Sequence, residues 1–475
     1  MFDIIKKLFR RKKDMTNNIE LKELDLIIKN FLSSNTLKVM NIGDRYYNSD
    51  HDILQRVRKA IGQDGELIPV KNLPNNKIVD NMFTNTLDQK VDYVLSKNLS
   101  LVSENKKYID ELNKIFNNKF LKILHTLGKD AYKYGISFLY VYYNDKGQMS
   151  FKKLNAKEII PIWKDAEHTE LEYVIRIYKT KIFISGNYKE VTNVEVYTTN
   201  GIDYYTWNNG VIPSSTKKHT PYIKVNDKGY NWEHLPIIPF KPNELEIPLI
   251  TKVKSIQDAI NEVISDFKND MEQNSRNTVL VIKNYIGEKG TLRYNMNLLG
   301  YIPVGTDGGV DTLRIEVTAE NYESILKILK KSFIENAKGF DAKNDKMLGN
   351  VNQMNIQSMY SDIDLDASAL EREFKNSLNE VLWFINQYLI NIGAGDFTNV
   401  EVDIVFNKDI LINEGQVIED CQKSRGVISL ETIVAQHPWV TDVELELKRI
   451  KSEREESINN IEAGVYESIS HGVNE

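Results

Sequence analysis

One long amphipathic helix constrains the fold of this chain more than any other part of its sequence. The helix is predicted to begin near Pro248, a residue favoured in a first helical turn. Its apolar residues recur at steps of three and four, which places them on a single stripe of an α-helix. The stripe consists of Leu249, Val253, Ile256, Ile260, Val263, Phe267 and Met271. About 25 residues rising ~1.5 Å each give a rod of roughly 40 Å, so an apolar seam of that length must find a partner.

A small β structure and a second helix are predicted to follow. Branched residues dominate residues 278–282, and residues 312–317 alternate between apolar and polar, so both segments are predicted strands. Glycines concentrated between them predict tight turns. These glycines are Gly287, Gly290, Gly300, Gly305, Gly308 and Gly309. Residues 319–337 then carry a second helical stripe, and two helices that flank a small β tip form a stalk with a head.

A polar segment, residues 341–362, separates the second helix from a third one predicted at residues 364–392. The segment shows no helical or strand period, which predicts a loop. Asp362, Asp364 and Asp366 lie at or before the start of the third predicted helix. The helix dipole favours carboxylates at that position, so we predict that these aspartates cap the helix.

The rest of the chain mixes helices and strands, which gives an α+β fold class. Helices are predicted at residues 17–32, 79–95, 120–134 and 441–463, with short helices from residue 413 that break at Gly426 and Pro438. Strands are predicted at residues 136–143, 149–154, 171–178, 191–199, 203–207 and 401–408. Tyrosine is dense in the strands before residue 208. We interpret it as packing by amphipathic rings rather than as a surface that stacks sugars or bases.

Composition narrows the class of protein only slightly. The net charge is −6, which is mildly acidic, and Cys421 is the single cysteine, so no internal disulfide forms. A single cysteine fits a reducing cytoplasm. No apolar run reaches the ~18 residues of a membrane span. The basic stretch at residues 1–15 is predicted to be a frayed arm rather than a membrane-surface helix or a signal peptide.

The sequence lacks the motifs of the common enzyme classes. It contains no G-x-x-x-x-G-K-[ST] loop and no G-x-S-x-G, and its histidines lack metal-ligand spacing. We therefore predict no catalytic residue, no cofactor and no metal. Asp362, Asp364, Asp366 and Glu373 imitate a calcium loop, although Ala367 occupies the place that requires glycine. The same carboxylates could form a two-metal cluster, so a metal-dependent nucleic-acid-processing enzyme is an alternative hypothesis.

The order of these elements resembles that of the portal proteins of tailed bacteriophages, of the siphophage type. The resemblance is densest at residues 234–272, where a proline-bracketed strand is followed by Asn-Glu and then by a helix with recurring amide and carboxylate residues. Its residues are Pro236, Pro239, Asn243, Glu244, Asp258, Ala259, Asn261, Ser265, Asp266, Asn269 and Asp270. Residues 45–54 (RYYNSDHDIL) also resemble the family, and the similarity extends over most of residues 45–465.

The resemblance implies a portal fold with a defined series of parts. The parts are a basic N-terminal arm and helix (1–44), an outer α+β wing (45–245), a stem helix (246–277), a clip (278–317), a second stem helix (318–340), a tunnel loop (341–362), a long kinked helix with a wing strand (363–408), and a helical crown with a C-terminal tail (409–475).

The same resemblance implies a function that is not enzymatic. Portal subunits form a homo-oligomeric ring, a dodecamer in its usual form, at one capsid vertex. The ring is the channel for packaging and ejecting double-stranded DNA, and it docks the terminase large subunit and later the head-completion adaptor. It also meets the major capsid and scaffolding proteins. The expected location is the virion, and the host cytoplasm during assembly, with no membrane partner. Another phage structural or tail protein is a further alternative.

The resemblance also assigns candidate site residues. The tunnel loop faces DNA, which here gives Lys343, Lys346, Asn350, Asn352, Gln353, Asn355 and Gln357. Relatives often carry Ser-Gly in place of Asn352-Gln353 and lysine in place of Gln357, so this loop has lost a glycine and a cation. Amides that bind phosphate without fixed charge suit DNA that must slide. The clip residues expected to contact partners are Lys283, Lys289 and Arg293.

Overall fold

The computed structural model divides into two compact units. The first comprises Met1–Gly339 and Leu365–Lys408, and the second comprises Phe340–Asp364 and Asp409–Glu475. The residues that the structure describes are 20–61, 65–70, 73–184, 186–225, 228–274, 279–288, 290–296, 300–313, 319–341, 353–408, 414–440, 443 and 445–455. The first unit holds all of the sheets described below and the helices that pack on them.

Five helices build the N-terminal part of the first unit, and side-chain caps set where several of them begin. They are α1 (Leu21–Ser33), α2 (Asn35–Tyr47), α3 (Met82–Leu95), α4 (Lys106–Ile115) and α5 (Asn118–Tyr134). The side chains of Ser34, Asn81, Asn105 and Asn117 accept a backbone N–H from the first turns of α2, α3, α4 and α5. Such caps satisfy donors that the helix itself leaves unpaired. The predicted helices at 17–32, 79–95 and 120–134 are confirmed.

Most of the strands form antiparallel sheets in the first unit. The strands are β1 (Lys59–Ile61), β2 (Leu67–Pro69), β3 (Ser100–Val102), β4 (Ser137–Tyr143), β5 (Met149–Leu154), β6 (Ile159–Trp163), β7 (Leu171–Ile184), β8 (Asn187–Thr198), β9 (Gly201–Trp207), β10 (Val211–Pro213), β11 (His219–Thr220), β12 (Ile223–Val225), β13 (Lys228–Tyr230) and β14 (Ile237–Phe240). The largest sheet has the order β10-β9-β8-β7-β6, and β11 pairs with β9. A second sheet has the order β14-β4-β5, while β1-β2 and β12-β13 are separate hairpins.

Two apolar clusters hold the helices to the sheets. One joins Met40 of α2 to Phe138, Ile159 and Val174, and the other joins Leu24 and Ile28 of α1 to the opposite face of the largest sheet. Tyrosines belong to this packing. The buried rings of Tyr134 and Tyr197 lie in the first cluster, and their hydroxyls donate to Asp44 and Glu195. These positions support the packing role that the sequence predicts for the dense tyrosines.

The long helix that dominates the sequence is confirmed as α6 (Leu249–Asn274). A two-stranded sheet of β15 (Val279–Tyr285) and β16 (Val304–Leu313) follows it, and then α7 (Ala319–Ala337), as predicted. Helices α6 and α7 pack together: the Phe267 and Tyr322 ring centroids are 4.9 Å apart, and the Tyr322 hydroxyl donates to Asp270 at 2.8 Å. Helix α7 therefore covers part of the apolar seam of α6.

The end of the small β structure differs from the prediction. Strand β16 begins at Val304, whereas the predicted strand began at residue 312, and Gly305, Gly308 and Gly309 lie inside it rather than in turns. A bulge lies between Lys283 and Tyr285 on the paired strand, and a Cβ added at Gly305 would be 2.5 Å from the Asn284 amide nitrogen. Glycine inside a strand allows this kind of close approach.

Helix α8 (Gln353–Asn391) begins earlier than the sequence predicted. Residues 353–362 are helical rather than a loop, so Asp362, Asp364 and Asp366 lie inside the helix and the predicted capping role is wrong. The apolar spacing Tyr360, Ile363, Ala367, Leu370 continues the stripe of α8 toward its start. Interleaved aspartates and amides obscured this period in the sequence.

The remaining elements agree with prediction in type. Strand β17 (Asp403–Val405) pairs with β3, within the predicted strand 401–408. Helices α9 (Glu414–Lys423) and α10 (Leu430–Gln436) are separated at Gly426, which has a φ of 87°, and α10 ends before Pro438. Residues 445–455 are helical within the predicted charged helix. None of the helices in the described ranges has both the length and the apolarity of a membrane span.

Candidate functional site

The structure describes only some of the predicted site residues. Lys343, Lys346, Asn350, Asn352 and Lys289 lie outside the described residues. Gln353, Asn355 and Gln357 belong to the first turns of α8, so their predicted place in a loop is wrong, and their side chains are outside the described part.

Lys283 is exposed on β15, where it pairs with Gly309 of β16. Arg293 belongs to a single helical turn, Leu292–Tyr294, between the two strands, and its side chain lies outside the described part. Of the three predicted contact residues, Lys283 is therefore the one whose side chain the structure describes, and it is exposed as the sequence suggested.

A buried ion pair fixes the part of α8 that follows the predicted loop. The Lys90 side chain, only 1% exposed, donates to Asp366 Oδ2 at 2.7 Å and to the Lys338 carbonyl at 3.0 Å. The Tyr132 hydroxyl donates to the same Asp366 oxygen at 2.7 Å. This Lys90 cluster (Lys90, Tyr132, Lys338 and Asp366) joins α3, α5, α8 and the residue that follows α7.

Burial dominates the electrostatics of the Lys90 cluster. It lowers the pKa of Lys90, and the negative charge of Asp366 opposes that shift. Burial also raises the pKa of Tyr132 well above its ordinary value, with Asp366 adding to the effect. Desolvation penalises each charged form, whereas an opposite charge within hydrogen-bond distance favours it. Asp366 therefore serves as the counter-ion of a buried lysine, a role that the sequence gave no sign of.

The metal site considered as an alternative in the sequence analysis requires Asp366, but this carboxylate already belongs to the Lys90 cluster. Asp366 is occupied by Lys90 and Tyr132, and in a helix Asp364 lies on the side opposite to Asp362 and Asp366 because successive residues turn by about 100°. Within the described residues, no group of three or more His, Cys, Asp or Glu side chains could hold a metal ion. Asp366 instead holds α8 to α3 and α5 through Lys90 and Tyr132.

A ladder of polar side chains on α6 is the most extensive feature that the sequence analysis missed. Gln257, Asn261, Ser265 and Asn269 recur every fourth residue, and all four are buried. The side-chain oxygens of Asn269, Ser265 and Asn261 accept the backbone N–H groups of Asn76, Ile78 and Asp80 at 2.7, 2.9 and 2.9 Å. Gln257 accepts from the N–H of Phe83 at 3.0 Å and donates to the carbonyl of Asp80 at 2.6 Å.

Matching repeats explain this amide ladder. Two residues of extended chain advance about 6.6 Å, and four residues of helix advance about 6 Å. Every second N–H of residues 76–80 therefore meets one side chain per helical turn. The segment obtains from α6 the backbone hydrogen bonds that it would otherwise obtain from a neighbouring strand. Uncharged polar residues at steps of four along this amphipathic helix are the signal that could have revealed it.

The stretch Arg45–Leu54 docks on the same helix next to the ladder. His51 is buried, with Nδ1 accepting from the Asn261 side chain at 2.8 Å and Nε2 donating to the Tyr46 carbonyl at 3.1 Å. Burial lowers the pKa of His51, which agrees with a neutral ring. The Tyr46 hydroxyl donates to Asp258, and Lys254 bridges Asp52 and Asp258 at 2.7 Å each. The two segments that carry the family resemblance are thus packed against each other.

Glu380 on α8 provides a pH-dependent test of the packing in the first unit. Burial, reinforced by the nearby charge of Glu170, raises the pKa of Glu380 to about 7. Because the folded chain holds this proton more tightly than the unfolded chain, folding stability falls as pH rises from about 4.5 through 7. We expect Glu380→Gln to be more stable than the wild type at pH 8, by on the order of 2–3 kcal/mol, and close to it at pH 5.

The measurement for Glu380 is urea unfolding of both proteins at several pH values. Glu104→Gln, a change at an exposed carboxylate, is the matched control and should follow the wild type throughout. A Glu380→Gln advantage that is constant from pH 5 to pH 8 would contradict the assigned proton linkage.

The described elements define an architecture of long helices and antiparallel sheets. The chain is an α+β protein in which two long packed helices flank a small β structure, a third long helix is anchored by a buried ion pair, and the rest of the first unit consists of sheets with helices packed on them.

The family follows from comparison with known proteins. The model of the family described as phage portal protein, SPP1 Gp6-like, matches residues 33–460, so the chain belongs to this family. The portal protein of Bacillus phage SPP1 is 27% identical over 425 residues, which cover 86% of this chain and 82% of that protein. The portal protein of Clostridium phage phiCD119 is 26% identical over 432 residues, covering 86% and 92%. The α+β portal fold and the phage portal function expected from the sequence are confirmed.

Membership of this family indicates the general kind of assembly that the chain belongs to. Portal proteins form oligomeric rings at the capsid vertex and are part of the virion capsid. The family is one of structural proteins. The metal-dependent enzyme that the sequence left open is not favoured.

Proposed function

We propose that this chain forms a closed ring, a dodecamer, whose channel carries double-stranded DNA into the capsid during packaging and out of it during ejection. The observation that carries the proposal is the family match over residues 33–460. The packed pair α6 and α7 with its small β structure supports it, because long paired helices can line a channel while the β structure presents a separate contact surface. The assembly holds the DNA passage open and makes or breaks no bond.

The proposed partners follow from the separate roles of the long helices and the small β structure. We assign the β structure, residues 278–317, to the clip, which binds the terminase large subunit during packaging and the head-completion adaptor afterwards. Lys283, exposed on β15, and Lys289 and Arg293 are the proposed contacts. The sheets of residues 45–245 form the wing that meets the major capsid and scaffolding proteins, and residues 409–475 form the crown. During assembly the subunits are in the host cytoplasm.

We propose a DNA-facing segment that is shorter than the one predicted from the sequence. Because α8 begins at Gln353, we assign the tunnel loop to residues 341–352, with Lys343, Lys346, Asn350 and Asn352 facing DNA. Two lysines and two amides offer phosphate contacts that do not depend on base sequence. Few cations release few counterions, so the affinity for DNA should depend only weakly on salt. DNA held in this way can slide through the channel.

The test combines assembly and packaging. Negative-stain electron microscopy and light scattering of the purified protein should show closed rings with a central hole and one fixed multiple of 54.9 kDa. Replacement of Lys343, Lys346, Asn350 and Asn352 with alanine should leave the rings intact and reduce the DNase-protected DNA in proheads that carry the variant. Lys146→Ala with Lys218→Ala, which removes two exposed lysines from the wing, is the control and should package normally.

Three results would contradict parts of this proposal. Stacked tubes or filaments without a fixed subunit number would show a different assembly, such as a tail structure. Normal packaging by the fourfold alanine variant would show that residues 341–352 do not contact DNA, and loss of rings in that variant would assign the segment a structural role instead.

A further inference from the structure

The strands β7 and β8 extend beyond the sheet that contains them. Strand β6 pairs with β7 only as far as Arg176, and β9 pairs with β8 only from Thr192 onward. The β7-β8 pairing nevertheless continues to Ile184 and Asn187. The outer segments 179–184 and 187–191 form a two-stranded arm that no other strand in the described ranges joins. At ~3.3 Å per residue, the arm projects about 20 Å from the sheet.

The end of the arm is apolar and uncovered within its own chain. Phe183 and Tyr188 face each other across the hairpin, with ring centroids 5.2 Å apart and planes at 65°. They are 63% and 76% exposed, and Ile182 on the other face is 44% exposed. A two-stranded hairpin without further packing is marginally stable in water. Exposed aromatic rings at its tip have the composition of an interface anchor.

The arm is also basic. It carries Lys179, Lys181 and Lys189 against one carboxylate, Glu190, so its net charge is +2 in a chain whose net charge is −6. Lys179 pairs with Glu190 at 2.6 Å. The positive net charge of the arm therefore comes from Lys181 and Lys189. A partner surface that suits the arm therefore combines acidic side chains with an exposed apolar one.

Such a surface lies at the other end of β7. The loop between β6 and β7 carries Asp165, Glu167 and Glu170, and Glu244 lies in the adjoining loop, which contacts the first one through Glu246 and His168 at 2.9 Å. We call these four carboxylates together with Leu245 the acidic edge. Leu245, beside Glu244, is 73% exposed.

The acidic edge is preorganised and carries more negative charge than its own cations neutralise. Asp165 accepts the backbone N–H groups of Thr169 and Glu170 at 2.8 and 3.0 Å, which fixes the shape of the loop. Lys164 pairs with Glu170, whereas the described structure places no ion-pair partner on the other three carboxylates of the edge. Burial raises the pKa of Glu380 to about 7, and the nearby charge of Glu170 adds to the shift.

We propose that the arm of one subunit docks on the acidic edge of the neighbouring subunit in the ring. The two surfaces lie at opposite ends of β7, about 45 Å apart along an extended strand of this length, so they cannot meet within one chain. A ring is built from head-to-tail contacts between two different surfaces of each subunit, and the basic aromatic arm and the acidic edge form such a complementary pair. The inference rests on the proposed ring.

Disulfide trapping tests the contact directly. Cys421 is the single cysteine, so Cys421→Ser gives a cysteine-free parent in which Tyr188→Cys and Leu245→Cys are introduced together. Mild oxidation of purified rings should give a ladder of covalent multimers on a non-reducing gel, because each subunit links to the next one. Each single-cysteine variant, and Tyr188→Cys paired with Val102→Cys, another exposed apolar position, should give no ladder.

The outcomes separate the contact from the ring. Rings in the microscope without a ladder from the Tyr188→Cys and Leu245→Cys pair would overturn the docking proposal and leave the proposed function intact. Failure of the cysteine-free parent and of the wild type to form rings would overturn both. Normal rings from arm variants that then fail to enter capsids would assign the arm to a capsid partner and overturn the proposal.

A charge exchange gives an independent measurement. Lys181→Glu with Lys189→Glu places like charges across the proposed contact, so the subunit concentration needed for half-maximal assembly should rise at least about tenfold. Adding Glu167→Lys and Glu170→Lys to the same chain should restore assembly toward the wild-type concentration. Assembly that the first pair leaves unchanged, or that the second pair weakens further, would contradict the assigned partner surface.

Discussion

Replacing Lys90 with methionine is expected to lower the free energy of unfolding by about 3–5 kcal/mol, because the Asp366 carboxylate then remains buried without its cation. Lys90 donates to Asp366 and to the Lys338 carbonyl, so the change removes two hydrogen bonds at a site where the Lys90 side chain is 1% exposed and the Asp366 side chain 15% exposed. Methionine fills most of the same volume, which keeps the loss of packing small. Urea unfolding of the purified subunit, monitored by circular dichroism, measures the effect.

The control for Lys90 distinguishes an ion pair from simple packing. Lys90→Met combined with Asp366→Leu and Tyr132→Phe removes the cation, the carboxylate and the hydroxyl that binds it. Replacing a whole buried polar group by apolar side chains is often neutral or stabilising, so the triple variant should regain most of the loss. A triple variant at least as unstable as Lys90→Met would contradict the assignment of the cost to an unpaired charge.

Much of the architecture was predictable because its signals are local. The stripes of α6 and α7 gave both helices nearly residue by residue, since an apolar face repeats within a few turns. The early start of α8 was missed because Asp362, Asp364 and Asp366 interrupt its stripe and suggested a helix end. In fact Asp366 lies well within the helix, and its carboxylate pairs with the buried ammonium group of Lys90. A carboxylate on the packed face of a helix interrupts the apolar spacing by which the helix is recognised. The partner of Asp366 is 276 residues away in the sequence, so only the fold reveals the pair.

The candidate sites were less predictable because they depend on contacts between distant segments. Lys90 belongs to a helix that the sequence gave correctly, yet nothing local marks this lysine as buried. The extra length of β7 and β8 was missed because exposed strands lack the apolar alternation that marks packed ones. The residues Asn261, Ser265 and Asn269 were noted through the family resemblance. Their role became clear only with the segment 76–80, which is about 190 residues away.

Asn261→Leu is expected to destabilise the chain by several kcal/mol, because it removes the partners of the Asp80 N–H and of His51 Nδ1, each at a cost of about 1–3 kcal/mol, and leaves the Gln257 amide with one of its two acceptors. The Asn261 side-chain oxygen accepts from the Asp80 N–H at 2.9 Å and from the Gln257 amide at 3.2 Å. Its nitrogen donates to His51 Nδ1 at 2.8 Å. Leucine has the same number and branching of side-chain heavy atoms as asparagine, so the substitution leaves no cavity and the loss reports the missing hydrogen bonds. Asn30→Leu, on the exposed surface of α1, is the control and should change stability by less than about 0.5 kcal/mol.

Hydrogen exchange resolves how the ladder transmits this loss. The Asp80 N–H should exchange rapidly in Asn261→Leu, since its only acceptor in the described structure is gone. If the rungs act together, the N–H groups of Ile78 and Asn76 lose protection as well, although Ser265 and Asn269 are unchanged. If they act separately, those two groups stay protected. An Asp80 N–H that remains as protected as in the wild type would contradict the ladder itself, because the segment would then be held to α6 by packing alone.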